Sequence, residues 1–353
     1  MNQVSMRMRE PTRKTKPSRL DDVARLAGVG IATVDRVLNE RGGVKPETAR
    51  KVILAAQQLH LARRLPNPYR RSLRIAVIFP PPVTQFFRRV NEAVLQIAST
   101  LDREVTLHRI FADPDSPTDV AAQFQNSTAD AFVLYASEMP KTVEAVRRAS
   151  DSGRPVVTFV NDMPDSGRLA HTGIDNHAAG RTAGYFAARM TSEPGSVVVL
   201  YRGPEYRVHQ QRLRGFETAL AQHAPRLAVS ALIEGPIERA HILHTFGRYL
   251  IEKGPPLIVY STGGGSGELG SELAKSNCVG KTLFIGHELT DQSRDLLARG
   301  IMTLAIDQNP ELQLRVAIDT ILGELGYIGS IPASTIVPFT VFSPENVGSA
   351  LSG

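Results

Sequence analysis

The feature that most constrains the fold is a regular alternation, from Arg74 onward, of short apolar runs with amphipathic stretches. The apolar runs have the length of buried strands, and the stretches between them have helical periodicity. Such alternation produces parallel sheets covered by helices on both faces. The expected strands are Arg74–Pro80, Val105–Phe111, Ala131–Ala136, Pro155–Val160, Ser196–Tyr201, Leu257–Tyr260, Lys281–Gly286 and Met302–Asp307.

This alternating region is too long for one sheet. Its length of about 270 residues exceeds what an ordinary open sheet accommodates, so two α/β lobes are expected. Ligands of parallel sheets bind beyond the carboxyl ends of the strands, which here places them between the lobes. The side chains that follow the strands are therefore the candidate ligand residues.

The first 74 residues differ from the rest of the chain in charge. They carry 17 Lys+Arg against 6 Asp+Glu, a balance of +11, whereas the remainder carries 24 against 29, a balance of −5. A basic head on a mildly acidic body indicates that the head meets a polyanion. Residues 1–17 are expected to be a disordered basic leader, whereas residues 18–61 have the periodicity of a packed all-α domain.

Three short helices are predicted within residues 18–61. The first contains Leu20–Ala27, the second runs from about Ile31 to Leu38, and the third begins at Pro46. Two short helices joined by a tight glycine turn, with a third as a brace, form a helix-turn-helix, whose second helix enters the major groove of DNA. A generic three-helix bundle is the alternative, which the charge and the spacing disfavour.

The run LDDVARLAGVGIATVDRVLN, residues 20–39, resembles the DNA-binding headpiece of the lactose-repressor (LacI) family. Most members of that family have serine where this chain has Asp35. This carboxylate either accepts from cytosine N4 or orients Arg36, and the second role is favoured because phosphates repel a carboxylate. The DNA-binding residues that the resemblance implies are Ile31, Ala32, Thr33, Asp35, Arg36 and Asn39.

The predicted linker, residues 62–73, departs from the family pattern. Many members have a hinge helix here that orders on DNA, but Pro66 and Pro68 disfavour a helix in this chain. Leu65 is either a minor-groove wedge or a residue that packs on the sensor. Coupling between the ligand and DNA is therefore expected to rest on dimer geometry.

The resemblance continues more loosely over residues 74–345, which are similar to the ribose-type periplasmic binding proteins. Ala170–Arg181, Arg212–Phe216 and Ile306–Pro310 are among the segments that carry it. It implies two Rossmann-like lobes, the periplasmic-binding-protein type I fold, joined by three crossings and closing on a sugar or polyol. The implied effector-binding residues are Gln85, Phe86, Phe87, Asp162, Arg212, Ser261, His287, Glu288 and Gln308. Binding proteins usually have aspartate where this chain has Glu288.

The strongest competing signal is the G-x-G-x-x-G pattern of residues Gly265–Gly270, which follows an expected strand and opens an expected helix. That context is typical of a dinucleotide site and predicts, as the alternative function, a dinucleotide-dependent oxidoreductase. The pattern lies late in the chain rather than in its first βα unit, which argues against a dinucleotide site. The additional glycines Gly263 and Gly264 instead favour a mobile lip of the ligand cleft.

Taken together, the sequence predicts a sequence-specific transcriptional regulator, a repressor, controlled by a small sugar or polyol. It is expected to act as a homodimer on two DNA half-sites, with no tetramerising helix. No catalytic residue, metal or cofactor is expected. The single cysteine, Cys278, and the lack of an 18-residue apolar stretch or a secretion signal favour the cytoplasm over a membrane or an oxidising compartment.

Overall fold

The computed structural model describes residues 20–39, 41–59, 72–234 and 239–348. The chain divides into two compact units, with the main boundary between residues 71 and 72. The predicted leader and residues 62–71 of the predicted linker, with Leu65, Pro66 and Pro68, lie outside the described residues.

The N-terminal unit contains the three predicted helices, α1 (Leu20–Ala27), α2 (Ile31–Leu38) and α3 (Pro46–Gln58). Their inward faces form one apolar core, in which Val23, Val34 and Val52 are fully buried. Gly28 ends α1 with a φ of +67°, a left-handed conformation that a glycine adopts without steric cost. The helix-turn-helix arrangement follows from this turn and from the shared core.

The first lobe of the second unit is a five-stranded parallel sheet with the order β2-β1-β3-β4-β5. Its register places Leu73 opposite Val105 and Ile75 opposite Ala131. The third and fourth strands along the chain are buried along their whole length, as expected for a sheet covered on both faces. The strands are β1 (Leu73–Phe79), β2 (Val105–Phe111), β3 (Ala131–Leu134), β4 (Val156–Phe159) and β5 (Ala170–Thr172), and the helices between them are α4 (Gln85–Thr100), α5 (Pro117–Asn126) and α6 (Pro140–Asp151).

The second lobe is a six-stranded sheet with the order β11-β10-β9-β8-β6-β7, in which β11 alone is antiparallel. Its strands are β6 (Val197–Tyr201), β7 (Val229–Glu234), β8 (Ile258–Ser261), β9 (Leu283–His287), β10 (Leu304–Asp307) and β11 (Thr340–Phe342). Its helices are α7 (Asn176–Met190), α8 (Arg207–His223), α9 (Arg239–Lys253), α10 (Ser266–Lys275) and α11 (Asp291–Ala298).

The chain crosses between the lobes three times. It leaves the first sheet after β5 and enters α7, returns after β10 into α12 (Pro310–Glu324), and crosses again to reach β11. Helix α12 packs on α4, β4 and β5, so it belongs to the first lobe although the strands on either side of it belong to the second. The first and third crossings are paired, since the Val337 N–H donates to the Gly173 carbonyl at 2.8 Å.

The expectation of two α/β lobes with largely parallel sheets is therefore confirmed, and all eight expected strands are present within a few residues of their predicted ends. Three strands were missed. β5 and β11 have only three residues each, and β7 is an exposed edge strand, so none of them forms a buried apolar run. In the part of the chain that the structure describes, no helix is long and apolar enough to cross a membrane.

Candidate functional site

The loops that follow the strands of the two lobes meet in a common cleft, and direct hydrogen bonds connect them. Asp115, which follows β2, accepts from the Arg202 guanidinium at 2.6 Å and from the Tyr206 hydroxyl at 2.5 Å. Glu138, which follows β3, accepts from Arg207 Nε at 2.9 Å and from Arg207 Nη2 at 2.6 Å. The structure therefore shows the lobes in a closed arrangement.

Arg212, on α8, is buried among the loops that follow β8, β9 and β10 of the second lobe, with only 2% of its surface exposed. Its guanidinium donates to the Asn176 side-chain oxygen at 2.9 Å, to the Thr262 carbonyl at 2.8 Å and, more weakly, to the Gln308 side chain at 3.4 Å. The Glu288 carboxyl group lies 4.0 Å away. The predicted residues Arg212, Glu288 and Gln308 are thus brought together by three separate elements.

Glu288 follows β9 with a φ of +75°, a backbone conformation that is strained for a residue other than glycine. Gln308 donates to one carboxyl oxygen, whereas the other, Oε2, is buried without a hydrogen-bond partner among the described residues. Burial, and then the negative charge of Asp307, raise the pKa of this carboxyl group to about 8, although Arg212 opposes the shift. At neutral pH it is therefore mostly protonated and is able to donate as well as accept.

Two buried imidazoles flank this cluster. His287 shares a hydrogen bond of 2.9 Å with the Tyr260 hydroxyl, and its Nδ1 is another buried polar atom that has no partner within the described ranges. His209 shares one of 2.8 Å with the Thr262 hydroxyl. Burial, helped by the charge of Arg212, lowers the pKa of both rings well below the usual value, so both are neutral at pH 7.

Aromatic rings form one wall of the cleft. Phe87 is buried with its ring centre 5.0 Å from that of Tyr135, and Tyr135 lies 6.1 Å from Tyr206 of the other lobe. Phe86 is half-buried and packs edge-on against Phe87 at 5.1 Å. Apolar ring faces beside hydrogen-bonding groups are the combination that suits a hydroxylated carbon ring or chain.

Three predicted ligand residues form hydrogen bonds with protein groups outside the Arg212 cluster. The Asp162 carboxylate binds the Arg168 guanidinium, at 2.5 and 2.8 Å, within its own lobe. The Ser261 hydroxyl donates to the carbonyl of Gly263 at 2.7 Å and so holds the loop after β8. Gln85 accepts from the Gln292 N–H at 2.9 Å, which links the lobes. None of these hydrogen bonds connects its side chain to the Arg212 cluster.

Arg89 is an inter-lobe residue that the sequence did not reveal. From α4 it forms two parallel hydrogen bonds to the Asp307 carboxylate, at 2.5 and 2.9 Å, and a further bond to Glu311 at 2.8 Å. Asp307 also accepts from the Leu289 N–H at 2.9 Å. Arg89 therefore holds together the segments that carry Glu288 and Gln308. Asn161, which follows β4 and accepts from the Val208 N–H at 3.3 Å, was also missed, although its strand-end position was the available signal.

In the N-terminal unit, the predicted DNA-binding residues of α2 and the turn after it are exposed or half-buried. Ile31 is 51% exposed, and Ala32 and Arg36 are also exposed, whereas Val34 faces the core. The Asp35 carboxylate contacts the Asn39 amide at 2.6 Å and the Arg41 guanidinium at 2.8 Å. The prediction that Asp35 orients Arg36 is therefore wrong, because the turn after α2 brings Arg41 back to the helix.

The G-x-G-x-x-G segment has a structural explanation. Gly265 precedes α10 with a φ of +76°. A Cβ atom on Gly267 would lie 2.8 Å from the Gln292 side chain, and one on Gly270 would lie 2.5 Å from that of Leu296. The glycines therefore allow a turn and the close packing of α10 against α11, and the pattern does not require a dinucleotide.

Two known families match this chain, and the two matches lie on either side of the boundary between its compact units. Residues 75–326 match the family described as "Periplasmic binding protein domain", which is more than half of the chain. Residues 19–62 match "Bacterial regulatory proteins, lacI family".

Several curated transcriptional regulators are similar to this chain. The chain is 27% identical over 195 residues to the sucrose operon repressor of Pediococcus pentosaceus, covering 53% of this chain and 56% of the relative. It is 25% identical over 213 residues to catabolite control protein A of Staphylococcus epidermidis, covering 58% and 62%. It is 22% identical to the PurR transcriptional repressor of Photobacterium profundum, covering 68% and 72%. The alignments with the first two relatives thus span less than two thirds of their length.

Solved structures share the two-lobed fold. A solute-binding protein from Actinobacillus succinogenes with bound D-allose superposes with a TM-score of 0.70 and 18% identity, covering 78% of this chain and 99% of that one. A Caulobacter myo-inositol-binding protein gives a TM-score of 0.70 and 18% identity, covering 80% and 96%. At this identity the similarity is one of fold.

Proposed function

We propose, from the premise that this chain belongs to the periplasmic binding protein domain family and carries a lacI-family headpiece, that it is a ligand-controlled transcriptional repressor. The observation that carries the proposal is one chain with both an exposed recognition helix and a two-lobed cleft whose buried polar atoms include some without a partner among the described residues. Residues 18–61 are the proposed DNA-binding domain, 62–73 the linker and 74–345 the effector-binding domain.

The DNA-binding role falls to α2. Ile31 and Ala32 present apolar groups suited to thymine methyl groups, and Arg36 offers a fork of donors for guanine. Thr33 and Asn39 supply further hydrogen bonds to bases or phosphates. Because such helices read one half-site each, the repressor is proposed to act as a homodimer, in the cytoplasm.

The effector is proposed to be a neutral sugar or polyol. The cluster offers hydroxyl partners of both kinds: the Arg212 guanidinium donates, and the protonated Glu288 carboxyl group both donates and accepts. The rings of Phe86 and Phe87 supply an apolar wall. Solved proteins of the same fold carry bound D-allose or myo-inositol, which supports this ligand class. Further direct contacts are proposed from Gln85, Asp162, Ser261, His287 and Gln308.

Non-enzymatic function agrees with the relatives, which are named as repressors and as a control protein. Those names also favour repression over activation.

The proposal is tested by fluorescence anisotropy with the full chain, using duplex DNA from the region upstream of its own gene and duplexes selected from a randomised library. Tight binding that depends on sequence, and that weakens by orders of magnitude between roughly 50 and 200 mM salt, is expected. D-Allose and myo-inositol are the first effector probes, and a change in DNA affinity is the readout. Equal, weak binding to every duplex would refute the proposal.

A further inference from the structure

Asp35 lies in the middle of the surface that α2 presents. At 3.6 residues per turn, positions 31, 32, 35, 36 and 39 lie within an arc of about 140° on one side of the helix. Within that arc Asp35 stands between Ile31 and Asn39, and its side chain is 38% exposed. A negative charge here would approach the phosphates of bound DNA and weaken binding unless it were compensated.

Both oxygens of this carboxylate already have partners. Oδ1 accepts from the Asn39 amide at 2.6 Å, and Oδ2 accepts from Arg41 Nη1 at 2.8 Å. Arg41 follows the end of α2, and its own N–H donates to the Arg36 carbonyl at 3.0 Å, which fixes the turn that brings Arg41 back over the helix. The Arg41 side chain is 64% exposed. The charge of Asp35 is therefore matched by a cation that remains accessible.

We infer that Asp35 is a positioning residue for Arg41, and that Arg41, held in this way, contacts a phosphate of the operator. The inference rests on the proposed DNA-binding function. Residues near the start of a recognition helix meet base edges, whereas a residue beyond its end lies closer to the sugar–phosphate backbone. A guanidinium has five N–H donors, so the bond to Asp35 leaves others for a phosphate.

The pair has a consequence for specificity. When Asp35 holds Arg41, the guanidinium reaches a phosphate only when α2 lies in one position along the DNA groove. The pair adds no net charge to the surface. Without Asp35, a mobile Arg41 attracts phosphates of any duplex. Non-specific binding then rises while specific binding loses a fixed contact.

The test begins with the operator that the wild-type full chain selects from randomised duplexes. Dissociation constants for this operator and for an unrelated duplex are measured across a salt series with the wild type, Asp35→Ala, Arg41→Met and the double variant. Asp21→Ala, on the exposed start of α1, is the matched control because it removes the same charge away from α2. Thermal unfolding followed by circular dichroism verifies that each variant is folded.

The Asp35→Ala variant is expected to bind the unrelated duplex several-fold more tightly and to lower the specific-to-non-specific ratio about tenfold. The Arg41→Met variant should weaken operator binding and reduce the salt slope by about 1, the loss of one phosphate contact. In the Arg41→Met background, Asp35→Ala should have no further effect on the ratio, since the positioning role needs Arg41.

Two results would overturn this inference but leave the proposed DNA-binding function intact. If Asp35→Ala alters the preference at one base pair, by the same factor with or without Arg41, Asp35 reads a base directly. If Asp35→Ala behaves like Asp21→Ala, the pair has no role in DNA recognition. A wild-type chain without any sequence preference would instead refute the proposed function, and this inference with it.

Discussion

Replacing Arg212 by methionine tests the reasoning about the cleft most directly. Methionine keeps a long apolar stem but removes the guanidinium, which leaves the Asn176 side-chain oxygen and the Thr262 carbonyl without their donor, at present 2.9 and 2.8 Å away. Each buried acceptor that loses its partner costs about 1–3 kcal/mol, which gives a gross loss of about 2–6 kcal/mol.

An opposing contribution reduces this loss. Burial lowers the pKa of Arg212, which means that the charged guanidinium is itself destabilised by its removal from water. Methionine does not have that cost. The net decrease in the free energy of unfolding is therefore expected to be about 2–4 kcal/mol, within the range for a broken buried hydrogen-bond network.

The measurement is urea unfolding of the full chain followed by circular dichroism, with the slope of the transition checked for constancy. Arg214→Met is the matched control, since Arg214 lies on the same helix but is exposed, and a change within about 0.5 kcal/mol is expected for it. A decrease below about 1 kcal/mol for Arg212→Met, or one equal to that of the control, would refute the claim that this buried network stabilises the fold.

Three further predictions concern other parts of the cleft and its support. Because the folded-state pKa of Glu288 is raised from 4.5 to about 8, protonation of this carboxyl group adds stability that is fully present below the unfolded-state pKa and is lost as pH rises through the folded-state pKa. Glu288→Gln should therefore flatten the fall in unfolding free energy between roughly pH 4.5 and 8, and an unchanged pH profile would contradict the raised pKa. Gly215→Ala places a Cβ atom 2.2 Å from the His177 carbonyl oxygen and should lower the unfolding free energy by more than about 2 kcal/mol. Gly329→Ala, whose Cβ atom lies in open space, should leave the unfolding free energy unchanged. Equal melting temperatures for the two variants would refute the packing argument. Asp115→Asn weakens two inter-lobe bonds and should increase about tenfold the population of molecules whose lobes are apart. The change should be visible as a larger radius of gyration in X-ray scattering. An unchanged radius would show that these bonds do not hold the lobes closed.

The sequence predicted the fold well because its strongest signals are local. The helix Ile31–Leu38 was predicted with the bounds that the structure gives it, since a glycine turn precedes it and its apolar positions repeat with helical spacing. The fully buried strands were found for the same reason. Strand β7 was missed because, at the edge of its sheet, its residues are largely exposed and carry no apolar run.

The candidate site was predictable only in part. Position after a strand correctly indicated that Glu288 and Gln308 would lie near Arg212, because the ends of parallel strands meet at one edge of a sheet. The same argument placed Asp162 among the ligand residues, yet its carboxylate binds Arg168. Strand-end position fixes where a residue lies, but it does not fix which neighbour uses its polar atoms.

The sequence by itself thus determined the order of the eight expected strands, the two-lobed α/β architecture and the helix-turn-helix, because periodicity, glycine turns and charge act over a few neighbouring residues. The tertiary structure decided which side chains meet. The pairing of Arg89 with Asp307 joins residues 218 apart, and it exists because α12 returns to the first lobe after β10 has ended in the second. Such contacts depend on how the crossings orient two packed lobes, and no local pattern records that geometry.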